Sequence, residues 1–383
     1  MKAAVANEPQ AYMLDQHTAI GALAVPERDG IRCFACGHRC WIAEGKRGVC
    51  KVRSNRHGEL RVPWGYVAAL QCDPVEKKPF FHVAPGSDAL TFGMLGCDYH
   101  CAYCQNWFTS QALRDASSSA LPTPMTEQQL VATALREKAK LIVSSYNEPL
   151  ITAEWAVSVF RQATAAGLIC AFVSNGNGTP EALDFLKPWV KAYKVDLKSF
   201  DDRHYRTLGG TLQAVLDTIA GLHQRGIWLE IVTLLIPGFN DGVDELRALT
   251  KFVASINRDI PWHVTAFHRD YKMHEPPDTQ VGQLTRAAEI GVESGLNYVY
   301  AGNRHGQVGT WEDTRCPGCR DTLIERVGYL VKSYRLTSDG SCPRCSMRIP
   351  GLWPNNPAEV RVGDLSMYAE RLPKIVASVS ASY

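Results

Sequence analysis

Between residues 90 and 303, short apolar runs alternate with longer stretches in which apolar residues recur every three or four positions. The first pattern predicts buried strands, and the second predicts helices that pack one face inward. The predicted strands cover residues 90–95, 141–146, 168–175, 192–197, 228–236, 262–267 and 297–300. The predicted helices cover residues 126–140, 179–190, 209–225, 243–256 and 279–294. Thr126 and Gln129 have the spacing of a helix-capping pair.

Strands and helices that alternate in this way predict a parallel sheet with helices outside. Six or seven such units fit into the barrel segment, residues 90–305, whereas a complete eight-unit barrel usually takes about 250 residues. We therefore expect an α/β fold of the partial (β/α)6 type. Small Cys-rich metal-binding modules are expected at both ends of this barrel.

The segments that flank the barrel have different patterns. Residues 1–30 show no clear periodicity and are expected to be an N-terminal tail. Residues 31–89 form a Cys-rich module and lead-in that is too poor in apolar runs to fold without a metal. Residues 306–356 form a second Cys-rich module, with a strand expected at 327–336. Residues 357–383 predict a helix with an unstructured end.

Composition and charge narrow the range of functions. Hydrophobic residues make up 45% and charged residues 21%, as in an ordinary soluble globular protein. The net charge of +2 argues against a chain-wide attraction to polyanions, although basic residues near Arg39 and Arg53 leave nucleic acid open as a partner. No apolar run reaches the roughly 20 residues that cross a bilayer, and residues 18–26 lack the features of a signal peptide. Thirteen cysteines in such a chain indicate a cytoplasmic protein with reduced, metal-binding thiols.

The central cysteine group is Cys97, Cys101 and Cys104, directly after the first predicted strand. Three thiolates at this spacing can bind three irons of a [4Fe–4S] cluster and leave the fourth iron open. That open iron suits the amino and carboxylate groups of S-adenosylmethionine (SAM). From spacing alone, the alternative is a zinc site that His100 completes.

The residues around this group resemble a known family. Tyr103 before the last cysteine completes a motif similar to the radical SAM signature, and the run from Gly96 to Trp107 resembles the pyruvate formate-lyase activating enzymes. Two further motifs resemble the radical SAM proteins of the AmmeMemoRadiSam system: Asp73-Pro74-Val75-Glu76-Lys77-Lys78-Pro79 and Arg348-Ile349-Pro350-Gly351-Leu352-Trp353. The resemblance covers about residues 31–354 and implies a radical SAM barrel.

The resemblance also implies which residues bind SAM, at strand ends where barrel enzymes place their chemistry. They are Tyr103, Asn147, Glu148, Ser174, Asn175, Asp196, Lys198 and His268. Glu148 is expected to receive the SAM amino group, Lys198 to pair with its carboxylate and His268 to contact its ribose. The chain departs from the family where Val173 replaces an aspartate that helps to hold a monovalent cation.

Two outer cysteine groups predict further metal sites. The C-terminal group consists of two Cys-x-x-Cys pairs, a strong four-thiolate pattern for which zinc is the first expectation and iron the second. Its members are Cys316, Cys319, Cys342 and Cys345. The N-terminal group is less regular and suits either zinc or an auxiliary iron–sulfur cluster. Its members are Cys33, Cys36, Cys40 and Cys50.

These features predict an enzyme that reductively cleaves SAM and uses the 5′-deoxyadenosyl radical to take a hydrogen atom from an unknown substrate. One alternative is an activase that forms a glycyl radical on a partner protein. Another, from a different class, is a metal-stabilised module that binds RNA or protein. The expected partners are SAM, an electron donor such as a flavodoxin or ferredoxin, and a small-molecule or protein substrate, but no membrane.

Overall fold

The structure is a computed structural model that describes residues 13–364 and the two-residue strand Lys374–Ile375. Eight strands precede the parallel strands of the main sheet: β1 (Thr18–Ile20), β2 (Ala24–Glu27), β3 (Gly30–Cys33), β4 (Trp41–Ala43), β5 (Ser54–Arg56), β6 (Glu59–Pro63), β7 (Tyr66–Val67) and β8 (Ala69–Pro74). Strands β1, β6 and β5 form one antiparallel sheet, and β2, β3 and β4 form another.

This N-terminal region corrects one expectation. Residues 1–12 of the predicted tail lie outside the described residues, but β1 and β2 belong to sheets. Strands of three or four residues are too short for a periodic pattern to reveal them. The tail prediction is therefore wrong for residues 18–27.

The next strands, β9 to β16, include the parallel strands of the main sheet. They are β9 (Asp88–Gly93), β10 (Thr123–Pro124), β11 (Leu141–Ser144), β12 (Ile169–Ser174), β13 (Ala192–Asp196), β14 (Trp228–Leu235), β15 (Trp262–Ala266) and β16 (Val299–Gly302). Apart from β10, which pairs with β7, they run parallel in the order of the chain. Strand β8 lies antiparallel beside β9, and Lys374–Ile375 pairs with β8.

Helices fill all six connections between successive parallel strands. They are α1 (Trp107–Ser110), α2 (Glu127–Arg136), α3 (Ala153–Ala165), α4 (Pro180–Leu186), α5 (Asp202–Leu208), α6 (Leu212–Gln224), α7 (Val243–Ile256) and α8 (Val281–Glu293). Six strand–helix units followed by a seventh strand confirm the predicted partial barrel. The capping pair is also present, because Thr126 Oγ1 accepts from the Gln129 backbone amide.

Sequence analysis places no helix over α3. This helix buries residues on most of its circumference, among them Trp155, Val159 and Phe160. A helix without a polar face gives little periodic signal. Within the described residues, no helix is long and apolar enough to cross a membrane.

The C-terminal region contains β17 (Thr314–Arg315), β18 (Thr322–Val327) and β19 (Leu330–Tyr334), which pair as one antiparallel sheet. Strand β19 falls within the strand predicted at 327–336. The helix predicted for residues 357–383 is not found in the described part of that segment. Pro357–Glu359 is a single 3-10 turn, and Lys374–Ile375 pairs as a strand, while residues 365–373 and 376–383 lie outside the described residues.

Polar side chains occupy the inside of the barrel. Lys194 on β13 pairs in register with Glu230 on β14, and His263 on β15 pairs in register with Tyr300 on β16. His263 Nε2 lies 2.6 Å from a carboxylate oxygen of Glu230, and both residues are buried. Burial of such groups costs free energy unless they are paired, and the contact between His263 and Glu230 provides that pairing.

Candidate active site

A cavity of about 350 Å³ lies at the carboxyl ends of the parallel strands. Its walls include residues that follow β8, β9, β11, β13 and β16 and two residues of the β18–β19 turn, Gly328 and Tyr329. Cavities of roughly 300–1,000 Å³ hold small molecules. Both its position and its size are those expected for the active site of a barrel enzyme.

The loop after β9 presents the central cysteines. Cys101 and Cys104 line the cavity together with Tyr103, and Cys97 is half-buried at the start of the loop. Cys104 Sγ lies 3.1 Å from Ser110 Oγ on α1. The structure therefore brings three of the predicted signature residues to one wall of one cavity.

The shape of this loop depends on the N-terminal module. Gly96 has a φ of 93°, and a Cβ there would lie 2.7 Å from Val52 Cγ1, so a larger residue would collide with that module. Arg114 joins the two parts, because its guanidinium donates to the carbonyl oxygens of Cys97 (2.7 Å) and Val49 (2.7 Å). The cluster loop is thus braced from outside the barrel.

The donor set of this loop fits an iron–sulfur cluster. All thirteen cysteines are free thiols, and burial raises the pKa of Cys101 to about 12. A thiol in such a place ionises only beside a positive centre such as a bound metal. The zinc alternative fits less well, because the described residues Cys97, Cys101, Cys104 and His100 do not form a set with ligand atoms within 4.8 Å of one another, as a single ion would require. The His100 ring packs against Gly209.

Asp196 and Lys198 line the same cavity as Cys101 and Cys104, and the Lys198 charge acts on both thiols. Lys198 Nζ lies 3.3 Å from Asp196 Oδ2, and Lys194 binds Oδ1 of the same carboxylate. Burial opposes ionisation of Asp196, but the two ammonium groups outweigh it and lower the pKa of the carboxyl group. One carboxylate between two lysines leaves a net positive charge in this part of the cavity lining.

Four other predicted residues contact one another inside the protein. Glu148 accepts hydrogen bonds from Ser174 Oγ (2.7 Å) and the Asn175 amide (2.7 Å), and Asn147 Oδ1 accepts from the Met94 amide (3.0 Å). Burial raises the pKa of Glu148, and the charge of Asp98 adds to the effect. These side chains tie the ends of β9, β11 and β12 together, and their contact with SAM stays a prediction.

His268 lies outside this buried set. It is exposed, and its Nε2 is 2.8 Å from the side-chain nitrogen of Gln105 in the cluster loop. Its predicted contact with the SAM ribose also stays a prediction.

Asp98, which is fully buried next to Cys97, was not among the predicted site residues. Its two carboxylate oxygens accept from Asn175 Nδ2 (2.8 Å) and Asn177 Nδ2 (2.8 Å). Asp98 stands inside the cysteine motif, so its position was visible, but the sequence did not indicate its burial.

Two further groups in the cavity wall were missed. Lys78 and Tyr146 line the cavity from one side, and His263 lines it near the barrel interior. Lys78 belongs to a motif that sequence analysis quoted only for its family resemblance. His263 lies in a buried strand whose other polar residue is Thr265, and a titratable side chain in such a strand was the available signal.

Comparisons with known proteins show the family of this chain. A family model described as the radical SAM superfamily matches residues 92–253. An uncharacterized protein of Methanocaldococcus jannaschii is 35% identical over 320 residues, which cover 83% of this chain and 93% of that protein. The chain belongs to the radical SAM superfamily.

More distant relatives in this superfamily include activating enzymes. The isethionate sulfite-lyase activating enzyme of Oleidesulfovibrio alaskensis is 25% identical over 33% of this chain and 42% of its own length. The pyruvate formate-lyase-activating enzyme of Staphylococcus epidermidis is 25% identical over 48% of this chain and 82% of its own length. Among solved structures, a radical SAM methyltransferase from Sphaerobacter thermophilus has 15% identity and a TM-score of 0.44, covering 57% of this chain and 67% of its own.

This radical SAM enzyme carries a second thiol site at its C-terminus. The sulfur atoms of Cys316, Cys319, Cys342 and Cys345 all lie within 4.8 Å of one another, with Cys316 and Cys345 3.5 Å apart. A tetrahedral zinc ion with bonds of about 2.3 Å would place its sulfurs about 3.8 Å apart. The group could therefore hold one metal ion.

The two halves of this C-terminal site have the same backbone shape. Arg320 and Ser346, each directly after the second cysteine of a pair, have φ values of 62° and 60°. Their amides donate to the carbonyls of Cys316 and Cys342, each at 2.9 Å. Each turn therefore folds back on its first cysteine and directs two thiols to one point.

The N-terminal thiols of the radical SAM enzyme are arranged differently. The four described residues, Cys33, Cys36, Cys40 and Cys50, do not form a set with ligand atoms within 4.8 Å of one another. The Gly37 amide next to Cys36 donates to the Asn177 carbonyl (2.8 Å), and Asn177 binds Asp98 beside Cys97. This group thus lies close to the cluster loop.

Proposed function

We propose that the chain reductively cleaves SAM at a [4Fe–4S] cluster held by Cys97, Cys101 and Cys104, and that the resulting 5′-deoxyadenosyl radical takes a hydrogen atom from a substrate in the same cavity. The observation that carries this proposal is the single cavity that Cys101, Cys104, Asp196 and Lys198 line together. The bound cluster supplies the electron that breaks the sulfonium bond and an open iron for SAM.

The protein's own groups bind and orient SAM. Lys198 pairs with the SAM carboxylate, because it lies beside the cluster loop and shares its aspartate with Lys194. Glu148, Asn147, Ser174 and Asn175 fix the strand ends that meet the SAM amino group and ribose. Tyr103 packs beside the cluster, and His268 closes over the ribose through its contact with Gln105.

The outer thiol groups serve different purposes in this proposal. Zinc binds the C-terminal group, because its four sulfurs already lie at a tetrahedral spacing and leave no open position. For the N-terminal group, the wider arrangement suits an auxiliary iron–sulfur cluster, which spreads its thiolates over several irons, better than a single zinc ion. Its closeness to the cluster loop suits a path for electrons from a donor such as a flavodoxin or ferredoxin.

A glycyl-radical activase is the second candidate, since three curated relatives carry activating-enzyme names. An activase would leave a persistent protein radical on a partner, whereas an enzyme that acts on a small molecule would not. Electron paramagnetic resonance of the reaction mixture distinguishes the two outcomes.

The test of the main proposal is a variant in which Cys97, Cys101 and Cys104 are all changed to Ala. After anaerobic reconstitution and reduction, we expect this variant to form no 5′-deoxyadenosine. The matched control is Cys170→Ala, which changes a buried thiol in β12 and should retain cleavage. Formation of 5′-deoxyadenosine by the triple variant at the rate of the wild type would contradict the proposal.

A further inference from the structure

Two clusters of the same composition border the cavity, each with one aspartate between two lysines. In the first, Asp196 binds Lys194 and Lys198. In the second, Asp73 Oδ2 lies 2.5 Å from Lys78 Nζ and Asp73 Oδ1 lies 3.3 Å from Lys77 Nζ. Each cluster has a formal charge of +1, and in the sheet three strands, β9, β11 and β12, lie between β8 and β13.

The second cluster is held firmly. Asp73 is fully buried, and the Lys78 side chain is only 4% exposed. Tyr146 donates from its hydroxyl group to Asp73 Oδ2 (3.1 Å), and the Lys78 ammonium lies 5.5 Å from the centre of the Tyr146 ring. The neighbouring Glu76 also lines the cavity, and its Oε1 accepts from the Gly86 amide (2.7 Å).

A purely structural ion pair would need only one lysine. A buried aspartate with a single lysine is neutral, so the pair of Asp73 and Lys78 needs no second cation. The Lys77 side chain is 27% exposed and adds a positive charge that this pair does not require. Lys77 and Lys78 both line the cavity, as does Tyr146. The excess positive charge is therefore presented to whatever occupies the cavity.

We propose that Lys77 and Lys78, which Asp73 and Tyr146 hold in place, bind the carboxylate of a small-molecule substrate, while the Asp196 cluster, three strands away in the sheet, binds the SAM carboxylate. This inference rests on the proposed function, because it places the substrate in the cavity where SAM is cleaved. A net charge of +1 matches a carboxylate monoanion better than a phosphate dianion. Two separate cationic clusters let the enzyme hold two carboxylates without exchanging them.

The test measures binding of a probe carboxylate to the reconstituted enzyme with SAM present. Radiolabelled glycolate is the probe, equilibrium dialysis is the measurement, and radiolabelled inorganic phosphate is the comparison anion. The variants are Lys78→Gln, Lys78→Arg and Lys198→Gln. Lys251→Gln is the matched control, since this lysine is exposed on α7.

We expect saturable glycolate binding by the wild type and the Lys251 variant, and weaker phosphate binding. Lys78→Gln should weaken glycolate binding by about tenfold or more while the cluster spectrum and SAM affinity stay unchanged, and Lys78→Arg should restore most of it. The unchanged spectrum and SAM affinity establish that the variant is folded.

Glycolate affinity that is the same in Lys78→Gln and the wild type would overturn the inference, as would an absence of saturable glycolate binding by the wild type. Tighter binding of phosphate than of glycolate would overturn the choice of carboxylate. Lys198→Gln separates the two proposals, because it should weaken SAM binding and leave glycolate binding intact. If Lys198→Gln bound SAM as tightly as the wild type, that result would count against the proposed function and not against the carboxylate site.

Discussion

The central and C-terminal cysteine groups differ in what their thiols face. Cys101 and Cys104 face a cavity, whereas the four C-terminal sulfurs face one another within 4.8 Å. A metal centre bound by the first group has room for an outside ligand, and a metal bound by the second is enclosed. The comparison teaches that the direction of the thiols, more than their number, separates a reactive metal centre from a structural one.

The largest effect on stability should come from removal of the C-terminal four-cysteine site. Changing Cys316, Cys319, Cys342 and Cys345 to Ser should remove one metal ion and lower the melting temperature sharply, because a structural zinc contributes its binding energy to folding. Elemental analysis and thermal unfolding measure this, with Cys170→Ala as the control. An unchanged zinc content would show that these four cysteines do not bind the zinc.

The iron content of the same variant sharpens the comparison. We expect iron to remain at its wild-type level, since Arg114 ties the cluster loop to the N-terminal module. Loss of most of the iron along with the zinc would show that the two sites do not act separately.

How far the sequence predicts this fold depends on the kind of element. Helix α7 has the predicted bounds, Val243–Ile256, because its polar and apolar faces alternate clearly. Helix α3 was missed because its surroundings are apolar on most sides, and the short strands before residue 63 because each holds only three to five residues. Local pattern therefore predicts elements with one exposed face and misses those that are fully enclosed or very short.

The candidate site was predictable to a similar degree. Cysteine spacing located the cluster loop, and the family resemblance led to Asp196 and Lys198, which the structure brings to the same cavity. The hydrogen bonds from Ser174 and Asn175 to the Glu148 carboxylate could not be predicted from the sequence, because contacts between strand ends depend on the register of the strands. The position of Lys78 in the cavity lining could not be predicted either, because it depends on how the preceding strand β8 pairs antiparallel with β9.

An intermediate effect is expected on SAM binding in the cavity beside the cluster loop. Lys198→Ala should weaken SAM binding by about tenfold to a hundredfold, since a charge-assisted hydrogen bond to a buried partner contributes roughly 1.5–3 kcal/mol. The cluster spectrum should stay unchanged, and Lys251→Ala serves as the surface control. SAM affinity equal to that of the wild type would show that Lys198 does not contact SAM.

The smallest effect concerns pH. Burial lowers the pKa of Lys78 to about 8, although Asp73 partly offsets it; Lys77 and Cys72 also act on this ammonium, and Tyr146 lies over it. Because the ammonium is the form that binds an anion, glycolate affinity should be full below about pH 7 and fall by up to about tenfold per pH unit above about pH 8.

The Lys78→Arg variant is the control for this pH dependence. A guanidinium stays charged across the whole range, so its glycolate affinity should remain level to pH 9.5 or so. An identical decline in the arginine variant would assign the pH dependence to another group.

The most direct test of the central claim is the electron paramagnetic resonance spectrum of the reduced enzyme before and after addition of SAM. If Cys97, Cys101 and Cys104 leave one iron open to the cavity, SAM should bind that iron and shift the spectrum of the cluster. The Lys198→Ala variant should need about ten- to a hundredfold more SAM for the same shift. A cluster spectrum that saturating SAM leaves unaltered in the wild type would contradict the account.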